Sequence, residues 1–312
     1  MSRNARGGRW RGGLAARLAS AAVPAIPFLW LVVFFLVPFV IVVKISLSDP
    51  APAMPPYRPL FACCGWPELR AFIEDLDFEA FETLFSDDLY VRAAASSVRI
   101  AAVSTLMLLL VGFPVAYAMA RAPERWRTAL VAVVIVPFWT SFLIRIYAWI
   151  GILKPEGLLN QALGALGLID APLALLNTET AVYIGIVYAY LPFMILPLYA
   201  VLEKLDPSLL EAAEDLGAPR RRAFWAVTVP LAMPGVVAGS LLCFIPIVGE
   251  FVIPDLLGGS ETLMLGRVLW SEFFSNRDWP LASAVAVILL GILVIPIVIY
   301  RDVEARRLEA SR

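Results

Sequence analysis

The chain has 312 residues, 61% of them hydrophobic, and a mean hydropathy of +0.81. Soluble domains hold roughly 45–50% apolar residues, so this composition excludes an ordinary soluble globule. The formal net charge is −1, and the absence of histidine excludes histidine-based acid–base or nucleophilic catalysis.

Residues 1–22 read as a basic, Gly-rich tail. A membrane-spanning helix needs about 20 apolar residues, and six runs qualify: 23–45, 98–120, 129–152, 181–202, 235–257 and 281–299. The first is too long for a signal peptide and lacks a clean small-residue cleavage site after it, so it is read as a retained helix. The predicted fold is an all-α membrane protein of six transmembrane helices, because lipid leaves backbone polar groups no partner outside their own helix.

The loop 46–97 is the longest predicted on the outer side. Pro50, Pro52, Pro55, Pro56 and Pro59 exclude regular helix from its first part. In its second part Leu69, Phe72, Ile73, Leu76, Leu84 and Phe85 recur at helical spacing among Glu74, Asp75, Glu82, Asp87 and Asp88. That pattern predicts an acidic amphipathic helix, read as a cover for the bundle, a docking face or an attractor for cations. In the loop 153–180, Ala162 to Leu168 is too short to span and reads as interfacial helix. The loop 258–280 carries a second short helix, Leu263 to Phe274. Cys63 and Cys64 fall in the outer loop and Cys243 in a span, with no zinc spacing, so no metal site is predicted.

Charge sets the orientation. Arg3, Arg6, Arg9, Arg11, Arg17, Arg121, Arg125, Arg127, Lys204, Arg220, Arg221, Arg222, Arg301, Arg306, Arg307 and Arg312 fall on one side. Only Arg58, Arg70, Arg92, Lys154, Arg267 and Arg277 fall on the other. The positive-inside rule then places both termini in the cytoplasm. The tail 300–312 lies on that side.

An ATPase needs a Gly-rich loop ending Gly-Lys-Ser/Thr to hold phosphates. The lysines here are Lys44, Lys154 and Lys204, and none follows a glycine. The chain is therefore read as no enzyme, without cofactor.

The polar segment 203–229 lies between the fourth and fifth apolar runs. Asp206 or Ser208 can cap a helix there, with Glu211 near its positive end. Gly217 supplies a permissive residue for the helix end and Pro219 blocks continuation. Such a helix, on the cytoplasmic side, can pass a push from a soluble partner to the adjoining spans.

Glu211-Ala212-Ala213, three residues, Gly217, nine residues, then Val227-Thr228-Val229-Pro230 resembles the EAA signature of ABC importer permeases. Val227 and Val229 stand where that family has Ile and Leu. The resemblance covers about residues 92–300, a core transmembrane domain (98–299) with one helix added in front. It implies the type I permease fold and assigns Glu211, Ala212, Ala213, Gly217 and Pro230 to coupling with ABC ATPase subunits, which hydrolyse the ATP.

Gly249-Glu250-Phe251-Val252-Ile253-Pro254, Leu256-Leu257-Gly258-Gly259, Leu265-Gly266-Arg267 and Asn276-Arg277-Asp278-Trp279-Pro280 look like the polyamine importers, most like the putrescine-type permease. Spermidine-type permeases share much of this pattern. The resemblance implies a second homologous permease subunit, a periplasmic polyamine-binding protein and a bacterial inner-membrane location, with membrane lipids as surroundings and no nucleic acid.

A carboxyl group at mid-membrane is costly and should face a pore or a partner. Two prolines around Gly249 suggest an interrupted helix, as solute pathways use. Glu250 and Asp255 are the acidic candidates for a cation path, and Trp139, Tyr147 and Trp270 offer aromatic faces. The competing readings are that Arg145 neutralises Glu250 or Asp255, and that Trp139 and Trp270 are interfacial anchors. Functional alternatives are a secondary transporter or channel using Glu250 and Asp255, and an ABC permease for another small solute.

Overall fold

The computed structural model describes residues 24–60, 70 and 75–310. Cys63, Cys64, Leu69, Phe72, Ile73, Glu74 and the basic tail 1–22 lie outside the described residues. The chain divides into two compact units, one running to Glu82 and including Asp278–Val287, the other Thr83–Arg277 with Ile288–Arg312.

In the first unit, α1 (Pro24–Ser46) matches the first apolar run. Within it the Val37 N–H reaches back five residues to the Val32 carbonyl. This wider turn falls just before Pro38, whose missing N–H would otherwise leave a gap in the ordinary ladder. A short antiparallel hairpin follows, β1 (Asp49–Pro50) with β2 (Tyr57–Arg58), in the register Asp49↔Arg58. The Lys44 ammonium donates to the Pro59 carbonyl and lies 4.3 Å from the Tyr57 ring. Asp49 sits beside Asp77, and its carboxyl pKa is pushed up by burial and by that neighbouring charge.

The acidic stretch that follows is divided. α2 (Glu79–Ser86) is helical, but Asp87 and Asp88 belong to the next helix: Asp87 Oδ1 accepts from the Leu89 N–H at 2.8 Å and caps α3 (Asp88–Arg121). The cap starts α3 ten residues before the apolar run that predicted it.

The second unit is built on α3, α7 (Glu179–Leu202) and α9 (Arg220–Val248), which pack pairwise against one another. Lipid tails are as apolar as leucine, so helices in a bilayer gain by close approach rather than by leaving water. The sequence provides for that with small residues. A Cβ on Gly112 of α3 would meet Met194 Cγ at 2.8 Å, and one on Gly239 of α9 would meet Met194 Sδ at 2.9 Å. Met194 of α7 thus fills the junction of three helices and is fully buried.

The third predicted run, 129–152, is not one straight helix. α4 (Glu124–Ile135) passes into a tight turn at Val136–Trp139, and α5 (Phe142–Leu153) leaves with α6 (Leu158–Ala165) at 88° to it. Pro137 removes a ladder donor at the bend. With the bent pair counted as one, six segments among the described residues are long and apolar enough to cross a membrane. Beyond α5, buried Asn160 closes the loop 153–180, donating to the Lys154 and Leu173 carbonyls and accepting from the Leu173 N–H.

The fifth run, 235–257, is also divided. α9 starts at Arg220, stops at Val248, and gives way at Gly249–Phe251 to a separate helix, α10 (Val252–Leu257). The chain continues through α11 (Leu265–Trp270), which unwinds into a wide turn at Ser271–Asn276, to α12 (Trp279–Ala310).

Candidate functional site: an exposed helix and a helix break

Between α7 and α9 lies α8 (Ser208–Asp215), which has no buried residue. Of the two predicted caps it uses Asp206, whose Oδ1 accepts from the Ser208 N–H at 2.9 Å. That bond holds the Asp206 carboxyl below its usual pKa. Glu211 stands in the first turn, exposed, beside exposed Ala212 and half-buried Ala213. At the other end the Gly217 N–H bonds to the Glu214 carbonyl at 2.8 Å and the Ala218 N–H to the Ala213 carbonyl at 3.1 Å. This is the Schellman closure, and it requires the left-handed residue that Gly217 provides at φ 85°. Leu216, just before it, is 90% exposed, a large apolar side chain held out on a fixed helix end.

α8 rests on the first turns of α9. There the Val229 N–H reaches back five residues to the Phe224 carbonyl, immediately before Pro230. Pro230 cannot donate, so the widened turn accommodates it, as Pro38 is accommodated in α1. The turn seats Phe224 edge-on against Phe113 and Tyr117 of α3, with centroids at 5.8 and 5.4 Å. Arg127 at the start of α4 pairs with Glu203 at the end of α7 at 3.6 Å. The signature residues thus form one mechanical piece: an exposed helix, a rigid glycine corner and a proline-marked turn locked to the core.

The second region is the break after α9. Glu250 is 8% exposed. Its Oε2 accepts from the Tyr190 hydroxyl at 2.5 Å, and its Oε1 accepts from the N–H groups of Val252 and Ile253 at 3.0 and 3.4 Å. Glu250 therefore caps α10 and ties it to α7. Asp255, on α10, pairs with Arg267 of α11 at 3.3 Å, and Arg267 also donates to the Gly259 carbonyl at 3.1 Å. α11 is held against the break because Gly266 has no Cβ; one placed there would lie 2.3 Å from the Gly249 carbonyl. Its first N–H, from Leu265, is taken by Ser97 Oγ of α3 at 2.8 Å.

Arg145 neutralises neither acid. Its guanidinium lies over the rings of Phe138 and Phe142, at 4.9 and 5.8 Å. Trp270 stacks on Phe251 at 4.7 Å and continues to Phe274 at 4.1 Å, so it does lie beside the break. Trp139 is 83% exposed, and Tyr147, also exposed, lies on α5, which packs against α10. Sequence reasoning did not single out Tyr190 or Ser97, nor Arg267 as the partner of Asp255; of the three, Arg267 carries the clearest signal, a charge in a short apolar stretch.

The fold is that of a multi-pass helical membrane component, with a short exposed helix inserted between two of its long ones. The chain belongs to the family of binding-protein-dependent transport system inner membrane components, which it matches over residues 5–308. It is 41% identical over 276 residues to the spermidine/putrescine transport system permease protein PotB of Haemophilus influenzae, covering 88% of this chain and 91% of that protein. Against the protein of the same name from Escherichia coli K12 the identity is 42% over 218 residues, 70% of this chain and 79% of that one. A chain of the bacterial alginate ABC transporter, solved in complex with a pentasaccharide-bound periplasmic protein, superposes with a TM-score of 0.72 at 17% identity, over 96% of this chain and 98% of that chain. The last likeness concerns the fold alone. As a transport permease component, the chain is not itself an enzyme.

Proposed function

We propose that this chain is a permease subunit of an ATP-driven importer for polyamines, putrescine or spermidine, lying in a bacterial inner membrane with both termini cytoplasmic. Its partners in this reading are ABC ATPase subunits, a second homologous permease and a periplasmic polyamine-binding protein. The reading of the substrate rests on the named relatives. The observation that carries the coupling role is α8: an amphipathic helix with nothing buried, closed by Gly217 and seated on the turn before Pro230. Motion of a protein gripping α8 passes directly to α9 and, through Phe224, to α3. α9 has 29 residues, which at the ordinary rise makes it about 43 Å long, and its far end is the Glu250 break.

The test is uptake of labelled putrescine and spermidine into proteoliposomes holding the assembled complex, with and without internal ATP. Transport is expected only with ATP. Leu216→Asp removes an apolar anchor worth about 2 kcal/mol if it is buried in a partner, and so should weaken retention of the ATPase by tenfold or more and abolish uptake. Gradient-driven uptake by this chain alone, without ATP, would overturn the proposal in favour of a secondary transporter.

A further inference from the structure

A cavity of about 400 Å³ lies between the start of α7, at Asn177, Thr178 and Glu179, and residues 259–262 of the segment joining α10 to α11. In a chain that is 61% hydrophobic, no apolar and no basic side chain lines it; it has carboxylates, hydroxyls and one amide. Its walls are tied together. The Asn177 N–H donates to the Leu257 carbonyl at 3.0 Å, with Asn177 held at a left-handed φ of 62°. Gly259 packs directly on it, since a Cβ there would lie 2.5 Å from the Asn177 carbonyl oxygen. The Gly259 carbonyl in turn accepts from the Thr262 N–H at 3.2 Å and from Arg267 at 3.1 Å. Such walls need little ordering when a ligand arrives.

The charges of the lining decide what it can take. The positive end of α7 is answered within the chain, by Thr178 Oγ1 on the Ala181 N–H at 3.3 Å and by Glu179 in the first turn. Glu179 also pairs with Arg99 at 2.8 Å, whereas Glu261 enters none of the ion pairs among the described residues. Two carboxylates repel an anion, and a hydrocarbon finds no apolar wall. A hard divalent cation wants roughly six to eight oxygens closed on one point, and of the two carboxylates here one is already held by Arg99. An alkylammonium brings three donors and no acceptor, and carboxylates and hydroxyls facing it from two walls are what it needs. We propose that this cavity receives a terminal ammonium group of the transported amine, with Glu261 as its free acceptor and Glu179 as the fixed one. In the orientation proposed above, this end of the bundle faces the side from which substrate arrives, so the cavity is a first station on the way in. The inference rests on the polyamine reading.

The experiment measures equilibrium binding of labelled putrescine to the assembled complex in nanodiscs, without binding protein and without ATP. Saturable binding is expected, competed by unlabelled diamines and not by 1,4-butanediol or by calcium at the same concentration. Glu261→Gln should weaken it about tenfold and Glu261→Asp by much less. Glu261 is exposed, so neither change endangers the fold. Glu156→Gln, which removes the same charge from another exposed position between α5 and α7, should leave binding unchanged. No saturable binding, unchanged binding in Glu261→Gln, an equal loss in Glu156→Gln, or displacement by calcium would each overturn the cavity assignment, while ATP-driven putrescine or spermidine uptake by the same wild-type complex would leave the transport reading standing. A wild-type complex that takes up no polyamine with ATP would overturn both.

Discussion

α8 and α10 use the same device in opposite surroundings. Each is a short helix whose preceding acid accepts from the N–H two residues on: Asp206 from Ser208, Glu250 from Val252. α8 buries nothing, whereas α10 buries Ile253, Pro254 and Leu257. At their far ends both stop at glycine for different reasons. Gly217 is needed for its positive φ, since a Cβ there would have open space around it, with nothing within 4 Å. Gly258 is needed for space, since a Cβ would meet the Pro254 carbonyl at 2.6 Å and Val182 at 3.0 Å. The proposed docking role of α8 fits a helix that keeps its surface free and its corner rigid; α10, which closes the bundle, commits its polar groups to the bundle itself.

That contrast is most sharply tested at Glu250. Glu250→Leu strips the Tyr190 hydroxyl and two amides of their acceptor in a buried place. Unsatisfied buried donors cost about 1–3 kcal/mol each, so the loss should be about 3 kcal/mol or more, read as a large fall in Tm of the detergent-purified chain. Glu250→Gln keeps one acceptor and the shape, and should lose about 1 kcal/mol. If Glu250→Leu left Tm unchanged while uptake fell, Glu250 would be a path residue and the contrast with α8 would fail.

Gly217→Val comes next. A β-branched residue at φ 85° is strained by about 1–2 kcal/mol, but α8 buries nothing that the fold depends on. The expected result is a near-normal Tm with uptake and ATPase coupling lost, and Gly217→Asn, which tolerates the left-handed region, should recover part of the activity. A parallel fall of Tm and uptake would mean that α8 is a structural element after all.

The difference between the two regions also decides how much the sequence reveals. The Gly217 corner is legible because Schellman closure is local: glycine offset, exposed helix and following proline all lie within a dozen residues. The bundle class is legible because apolar runs of about 20 residues have few other fates. The division at Gly249 is announced by the flanking Pro246 and Pro254, whereas the one at Pro137 cannot be placed from hydropathy, which stays high through it. Glu250 stands out as an acid in an apolar run, but its partners do not. Tyr190 is 60 residues away, and nothing in the spacing of α7 distinguishes a tyrosine that caps a neighbour's carboxyl from one that packs. Arg145 stands out as a cation in a span, but pairing it with the nearest acids of the same chain ignores Arg267, which takes Asp255 from the adjoining helix.

The smallest expected effect is the acid dependence of the exposed cap. Asp206 has its pKa lowered chiefly by the backbone N–H of Ser208. A depressed carboxylate contributes fully above its ordinary unfolded value, near 3.9, and the contribution fades as pH falls through the folded value. At neutral pH α8 therefore keeps its cap, and acidification below about pH 4 removes it. Hydrogen exchange of the Ser208, Leu209 and Leu210 amides should speed up in that window in the wild type. In Asp206→Asn, which caps without titrating, the same amides should show no such step. A step of equal size in both would assign the change to groups other than Asp206.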